Sequence, residues 1–95
     1  LRTGKIIDAE KIKKSKKLLK LKVDIGSEVR QVVAGIAETY EPDQLLNRTI
    51  ILVANLKPVK LMGIESQGML LAANNNGQIV LAGFDLEPSK GIRVR

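Results

Sequence analysis

The sequence predicts an all-β fold: a small five-stranded barrel with one short helix between strands 3 and 4. Three observations predict it. Short alternating or β-branched runs recur along the chain, each closed by a turn signal. A helix-starting pattern occurs once, at Pro42. The aromatic residues are Tyr40 and Phe84, too few to fill a sandwich core, and barrel closure also removes exposed sheet edges.

The elements follow in order. Thr3 to Glu10 alternates imperfectly and carries β-branched residues, which predicts the first strand. Lys11 to Lys17 is polar and lysine-rich, a connecting loop or short helical turn. Leu18 to Ile25 alternates well, with Leu19, Leu21, Val23 and Ile25 inward and Lys20, Lys22 and Asp24 outward. Gly26-Ser27 marks a hairpin turn. Glu28 to Ala34 returns as a third strand, with Val29 and Val33 expected inward and Val32 as a further candidate. Pro42 suits a helix start, Asp43-Gln44-Leu45-Leu46 completes a turn or two, and Asn47 suits the C-terminal cap. Thr49 to Asn55 is strongly β-branched and predicts a strand buried on both sides. Met69 to Ala73 and Gln78 to Ala82 predict two further strands around an Asn74-Asn75-Asn76-Gly77 turn. Gly83 to Ser89 is irregular, and Ile92 to Val94 is a candidate last strand. This strand order and helix position resemble an OB-fold.

Residues 1–95 suffice for one domain with a modest core. Leu1 rather than Met stands first, which predicts a fragment of a longer chain. No apolar run approaches the roughly 20 residues that span a bilayer. Cysteine and histidine are absent. That removes disulfides, most metal sites, and the base that Ser66 or Ser89 would need for acyl transfer. A cytoplasmic setting fits this cysteine usage. Glu38, Glu41 and Asp43 match no metal-ligand spacing, and acids at a helix start have an ordinary electrostatic reason. Scattered glycines make no phosphate loop. No catalytic residue, metal or cofactor is predicted.

The net charge is +6 and the pI near 9.8. Seven lysines (Lys11, Lys13, Lys14, Lys16, Lys17, Lys20 and Lys22) fall within residues 11–22, which contain no acid. Lys57 and Lys60 add a second cationic loop. Two such clusters point to a polyanion. No amphipathic apolar stripe accompanies the lysines, which argues against a membrane surface. Nucleic acid remains. With so few aromatics the chain cannot build a platform for stacked single-strand bases. It offers cations for phosphates and Asn, Ser and Gln for sugar or backbone, which suits a folded RNA read by shape.

The segment Ala54 to Ala72 carries the most specific signal. It contains Asn55-Leu56-Lys57-Pro58-Val59-Lys60 and then Gly63-Ile64-Glu65-Ser66-Gln67-Gly68-Met69-Leu70-Leu71-Ala72, read physically as a polar, cationic loop on a rigid β scaffold. It resembles the signature of the dimeric tRNA-binding domain family, as in the C-terminal domain of methionyl-tRNA synthetase. Thr3-Gly4-Lys5-Ile6, Val23-Asp24-Ile25-Gly26 and Arg30 to Ile36 resemble other stretches of that family, and Tyr40 and Pro42 match its helical link. One departure is clear. The family commonly has His-Pro-x-Ala-Asp-Lys-Leu where this chain has Ile12-Lys13-Lys14-Ser15-Lys16-Lys17-Leu18.

The resemblance implies an OB-fold whose C-terminal strands serve dimerisation. It implies non-sequence-specific tRNA binding, as an appended C-terminal domain of methionyl-tRNA synthetase that also dimerises the enzyme. A freestanding dimeric, structure-specific tRNA-binding protein or chaperone shares the same domain and is the alternative. Carried over by position, the tRNA-contacting face is Lys17, Arg30, Asn55, Lys57, Lys60, Ser66 and Met69. The four cations would neutralise phosphates. Asn55 and Ser66 would bond ribose or backbone, although Asn also bonds its own loop readily. Met69 would pack on a sugar or base edge, although its type also suits core filling. Lys90, Arg93 and Arg95 read mainly as a solubilising tail. The homodimer contact would run from about Gly77 to Val94, with Ile79, Leu81, Phe84, Leu86, Ile92 and Val94 as its apolar candidates.

Overall fold

A computed structural model describes residues 1–95. Nine strands and one helical turn follow one another: β1 (Arg2–Lys11), β2 (Leu19–Asp24), β3 (Val29–Ala34), α1 (Pro42–Leu45), β4 (Thr49–Val53), β5 (Val59–Leu61), β6 (Ile64–Ser66), β7 (Met69–Leu70), β8 (Ala72–Asn75) and β9 (Gln78–Leu81). The main antiparallel sheet has the order β3-β2-β1-β4-β7. It curls into a half-barrel of the OB type, with α1 between the third and fourth strands as expected.

β1 does most to curve the sheet. Arg2 to Lys5 pair with β4 and Lys5 to Lys11 pair with β2, and the register slips at Ile7. Such a bulge increases local twist and bends the strand. Ile7 is accordingly exposed. β2 alternates as its sequence dictates, with Leu19, Leu21 and Val23 fully buried and Lys20, Lys22 and Asp24 only half-buried. In β4 three consecutive residues, Ile50, Ile51 and Leu52, are buried, so both faces are covered. The strand ends at Val53, short of the predicted Asn55. Leu45 drops from α1 into the core formed by Ile6, Leu19, Leu21, Val32, Ile50 and Leu52. A reciprocal capping box between Glu41 and Gln44 starts the helical turn. Asn47, just beyond its end, takes the left-handed conformation (φ 66°) that asparagine tolerates.

Four expectations are corrected. Val29 is exposed rather than inward. Val29 and Val33 share the outer face of β3, and Val33 is buried there because a later hairpin covers it, while Val32 faces the core. The run Met69 to Ala73 is not one strand. It breaks at Leu71, whose N–H bonds Ile51 O (2.9 Å) on β4 and whose carbonyl accepts from Ala82 N–H (3.0 Å), so the β8–β9 hairpin swings away from the sheet. Residues 54–68 are not merely a loop but carry the β5–β6 hairpin. Ile92 to Val94 makes a single bridge, Arg2 to Arg93, rather than a strand.

No β-ladder joins β3 to β7. Hydrogen bonds to Ser66, the last residue of β6, and Gln67, the next residue, do that work instead. Gln67 N–H donates to Gln31 O (2.7 Å), Gln31 N–H to Gln67 Oε1 (3.0 Å), and Val33 N–H to Ser66 Oγ (3.0 Å). The barrel thus closes partly through side chains.

Candidate nucleic-acid interface

The signature segment is built upward from its base. Arg30 starts from the beginning of β3 and reaches the two ends of the segment that follows β4. Its guanidinium donates to Ala54 O (2.8 Å) and Gln67 O (3.2 Å) and pairs with Glu28. Those two carbonyls mark where the excursion leaves and rejoins the barrel. Ser66 is buried, accepting from Val33 N–H and donating to Gly68 O (3.0 Å). Gln31 Nε2 adds a bond to Glu65 O (2.8 Å), and Lys22 Nζ donates to Gln31 Oε1 (3.0 Å). Charge-assisted and buried bonds of this kind are the strong ones. They hold the excursion in place before any ligand arrives.

From that base β5 and β6 rise as a hairpin with the pairs Val59–Ser66, Lys60–Glu65 and Leu61–Ile64. Met62 (φ 52°) and Gly63 (φ 77°) turn it, and two consecutive positive φ values are what a tight type I′ turn requires. Lys57 and Lys60 are exposed and lie in no ion pair. Between the hairpin and β3 opens a cleft of about 240 Å³ lined by Val33, Leu56, Lys57, Val59, Leu61 and Met69. Met69 stands at its mouth, 60% exposed.

Lys17 sits in the β1–β2 loop. Ser15 Oγ accepts from the N–H groups of both Lys17 and Leu18 (3.2 Å each), and Lys17 O accepts from Ala37 N–H (3.0 Å). The backbone is thereby tied down and the side chains point outward: Lys13, Lys14, Lys16 and Lys17 are exposed. None of the four is in an ion pair, whereas Lys5, Lys11, Lys20 and Lys90 each have a carboxylate partner. Lys20 holds the Glu10 carboxyl below its ordinary pKa, by hydrogen bond first and by charge second. Apart from Lys22, which bonds Gln31 from β2, the lysines in no ion pair therefore concentrate in the β1–β2 loop and on the segment carrying the β5–β6 hairpin. The register relates those two stretches. Leu19, just after the lysine loop, pairs with Ala34 at the end of β3. β6 runs antiparallel beside β3, with Gln67 next to Gln31 and Ser66 next to Val33, so the hairpin tip extends toward that same end.

The predicted residues thus divide. Lys57 and Met69 line one cleft, Lys60 lies on the strand that forms its wall, and Lys17 sits in the β1–β2 loop. Arg30 and Ser66 are spent on internal bonds beneath them. Asn55 lines a separate shallow hollow with Leu1, Arg2, Ala54 and Arg93. The sequence does not single out Arg2, and it reads Arg93 mainly as part of a solubilising tail. They meet only through the bridge between β1 and the C-terminal segment, and no local pattern announces it. Of the expected dimer residues, Leu81 is buried and Ile79 packs against the core, while Phe84, Leu86 and Ile92 are exposed.

A family profile described as "Putative tRNA binding domain" matches residues 1–93. The methionine–tRNA ligase of Archaeoglobus fulgidus is 52% identical over 94 residues, covering 99% of this chain and 14% of the ligase. The chain therefore spans about one seventh of that relative. A methionyl-tRNA synthetase-related protein from Pyrococcus horikoshii superposes with a TM-score of 0.93 at 45% identity, covering 99% of this chain and 87% of that one. The chaperone CsaA from Bacillus anthracis superposes at 0.89 with 26% identity, covering 99% and 88%. No helix is long and apolar enough to cross a membrane.

Proposed function

The chain belongs to the tRNA-binding domain family whose profile matches residues 1–93, and from that membership we propose that it is a non-catalytic module that holds tRNA by shape and charge. The observation that carries this reading is the placement of the lysines in no ion pair, Lys22 aside, in the β1–β2 loop and on the hairpin segment, both directed to one end of the barrel. Lys17, Lys57 and Lys60 contact phosphates there. Asn55, beside Arg2 and Arg93, bonds backbone or ribose further down. Arg30 and Ser66 contribute by fixing the excursion that presents these groups, and Met69 packs on the bound nucleic acid.

The module is appended to methionine–tRNA ligase in the cytoplasm, as the length and identity of the ligase relatives favour. It pairs two copies through its C-terminal half, where Phe84, Leu86 and Ile92 are exposed. Two copies double the cationic surface facing one large RNA. The second reading is a freestanding dimeric tRNA-binding protein or chaperone. Its support is the superposition on the chaperone CsaA over 99% of this chain.

A filter-binding titration with tRNA across a salt series tests the proposal. Log affinity is expected to fall with log salt by about 0.7 to 0.9 per phosphate contacted. A flat response, or equal affinity for an unstructured RNA, would overturn it.

A further inference from the structure

We propose that the cleft between β3 and the β5–β6 hairpin receives one unpaired nucleobase of the bound RNA. This rests on the tRNA-binding reading and deepens it: recognition includes a single extrahelical base as well as the charge pattern. Three observations carry the inference.

The first is chemical. Five of the side chains lining the cleft are apolar: Val33, Leu56, Val59, Leu61 and Met69. Leu56, Val59 and Met69 are 45%, 56% and 60% exposed. Water-facing apolar side chains gathered around one concavity mark a binding surface. A thioether at the mouth suits the face of an aromatic ring.

The second is size. At about 240 Å³ the cleft lies below the roughly 300–1,000 Å³ of pockets that take cofactor-sized ligands. It suits one planar ring system rather than a nucleotide cofactor or a peptide helix.

The third is charge. Lys57 lines the cleft, and Lys60 lies on the hairpin strand that forms one wall. The hairpin's one acid, Glu65, is the cross-strand neighbour of Lys60 and lies in no ion pair. An apolar slot beside free cations matches a nucleotide, whose base is flat and apolar-faced and whose backbone is anionic. The site is also preformed. Ser66, Gln31 and Arg30 fix both ends of the excursion, so little ordering remains to oppose binding.

The test uses three RNAs at one salt concentration: tRNA, a perfectly paired RNA stem-loop with a tightly structured tetraloop, and the same stem with one bulged nucleotide. Four proteins are compared: the native chain, Leu56→Ser with Val59→Ser, Met69→Ser, and Lys57→Ala with Lys60→Ala. The serine substitutions fall at exposed positions, and a Met69→Ser variant provides a second probe of the same slot. The native chain is expected to bind the bulged stem about tenfold tighter than the perfect stem, the scale of one buried base. Both serine variants should abolish that preference and weaken tRNA binding by a comparable factor, and Leu56→Ser with Val59→Ser should leave the perfect stem and the salt slope unchanged. The lysine variant should weaken all three RNAs.

Equal affinity of the native chain for bulged and perfect stems overturns the base-binding inference while leaving tRNA binding standing. So does a preference that survives the serine variants, or a change of oligomeric state or of apolar-peptide binding in those variants with RNA selectivity intact. Absence of tRNA binding by the native chain at low salt overturns both readings.

Discussion

Ser66 is a polar residue in a strong motif, and its chemistry is directed inward. Its hydroxyl serves Val33 N–H and Gly68 O in a buried setting. Removing it leaves a buried donor without a partner, at a cost of about 1–3 kcal/mol. Ser66→Ala should therefore lower stability by that amount in urea unfolding while leaving the salt slope of tRNA binding unchanged. Gly91 is a second residue with one solution. It has φ 76°, and a Cβ there would lie 2.1 Å from Ile25 O. Gly91→Ala combines a left-handed penalty of about 1–2 kcal/mol with a backbone clash. It should detach the C-terminal segment from Thr3, whose hydroxyl donates to Ser89 O (2.7 Å) and accepts from Ile92 N–H (2.9 Å). Faster proteolytic clipping after residue 88 would report it. Neither constraint was legible in sequence. A motif gives residue types, and only the register says whether a hydroxyl meets solvent or a strand edge.

Among the elements, the strands with a single clean period were the readable ones. β2 announces itself because its lysines and leucines alternate, and β4 because Ile50, Ile51 and Leu52 are β-branched or apolar without interruption. The β5–β6 hairpin was not readable. Its turn is Met62-Gly63, not the Asn-Gly or Asp-Gly that signals such a turn, and none of the three residues of β5 is buried. The lysine loop and the hairpin make separable electrostatic contributions. Lys57→Ala with Lys60→Ala should reduce the magnitude of the salt slope by about 0.7–0.9 for each phosphate contact removed. Replacing Lys13, Lys14, Lys16 and Lys17 with glutamine should flatten it further, with no loss of thermal stability, because none of the four is paired. Equal slopes for native and substituted chains in the same titrations would exclude these lysines from the interface.

For the molecule as a whole, the OB-type architecture was legible and its closure was not. A barrel sealed by Gln31, Ser66 and Gln67 rather than by a ladder has no strand pattern to display. Long-range ties of this kind also include Lys90 Nζ to Asp24 Oδ2 (2.9 Å), which pins the C-terminal segment to the end of β2. The Lys90 hydrogen bond, then that from Gly26 N–H, holds the Asp24 carboxyl below its ordinary pKa. A lowered carboxyl pKa contributes stability above the unfolded value, and this is lost as pH falls through the folded value. An NMR titration should find the Asp24 midpoint below that of an ordinary aspartate, and Lys90→Met should move it up. Assembly belongs to the same scale. Leu86 is 86% exposed, and sedimentation should show a dimer that Leu86→Ser with Phe84→Ser converts to monomer, with weaker tRNA affinity.

One guanidinium reaches both Ala54 O and Gln67 O, the departure and return points of a fourteen-residue excursion. Those two anchors consequently share a fate. Truncating Arg30 should let amides 55–66 exchange with solvent deuterium as a unit, faster than and independently of those in β1, β2 and β4. The excursion would then breathe while the barrel beneath stays shut.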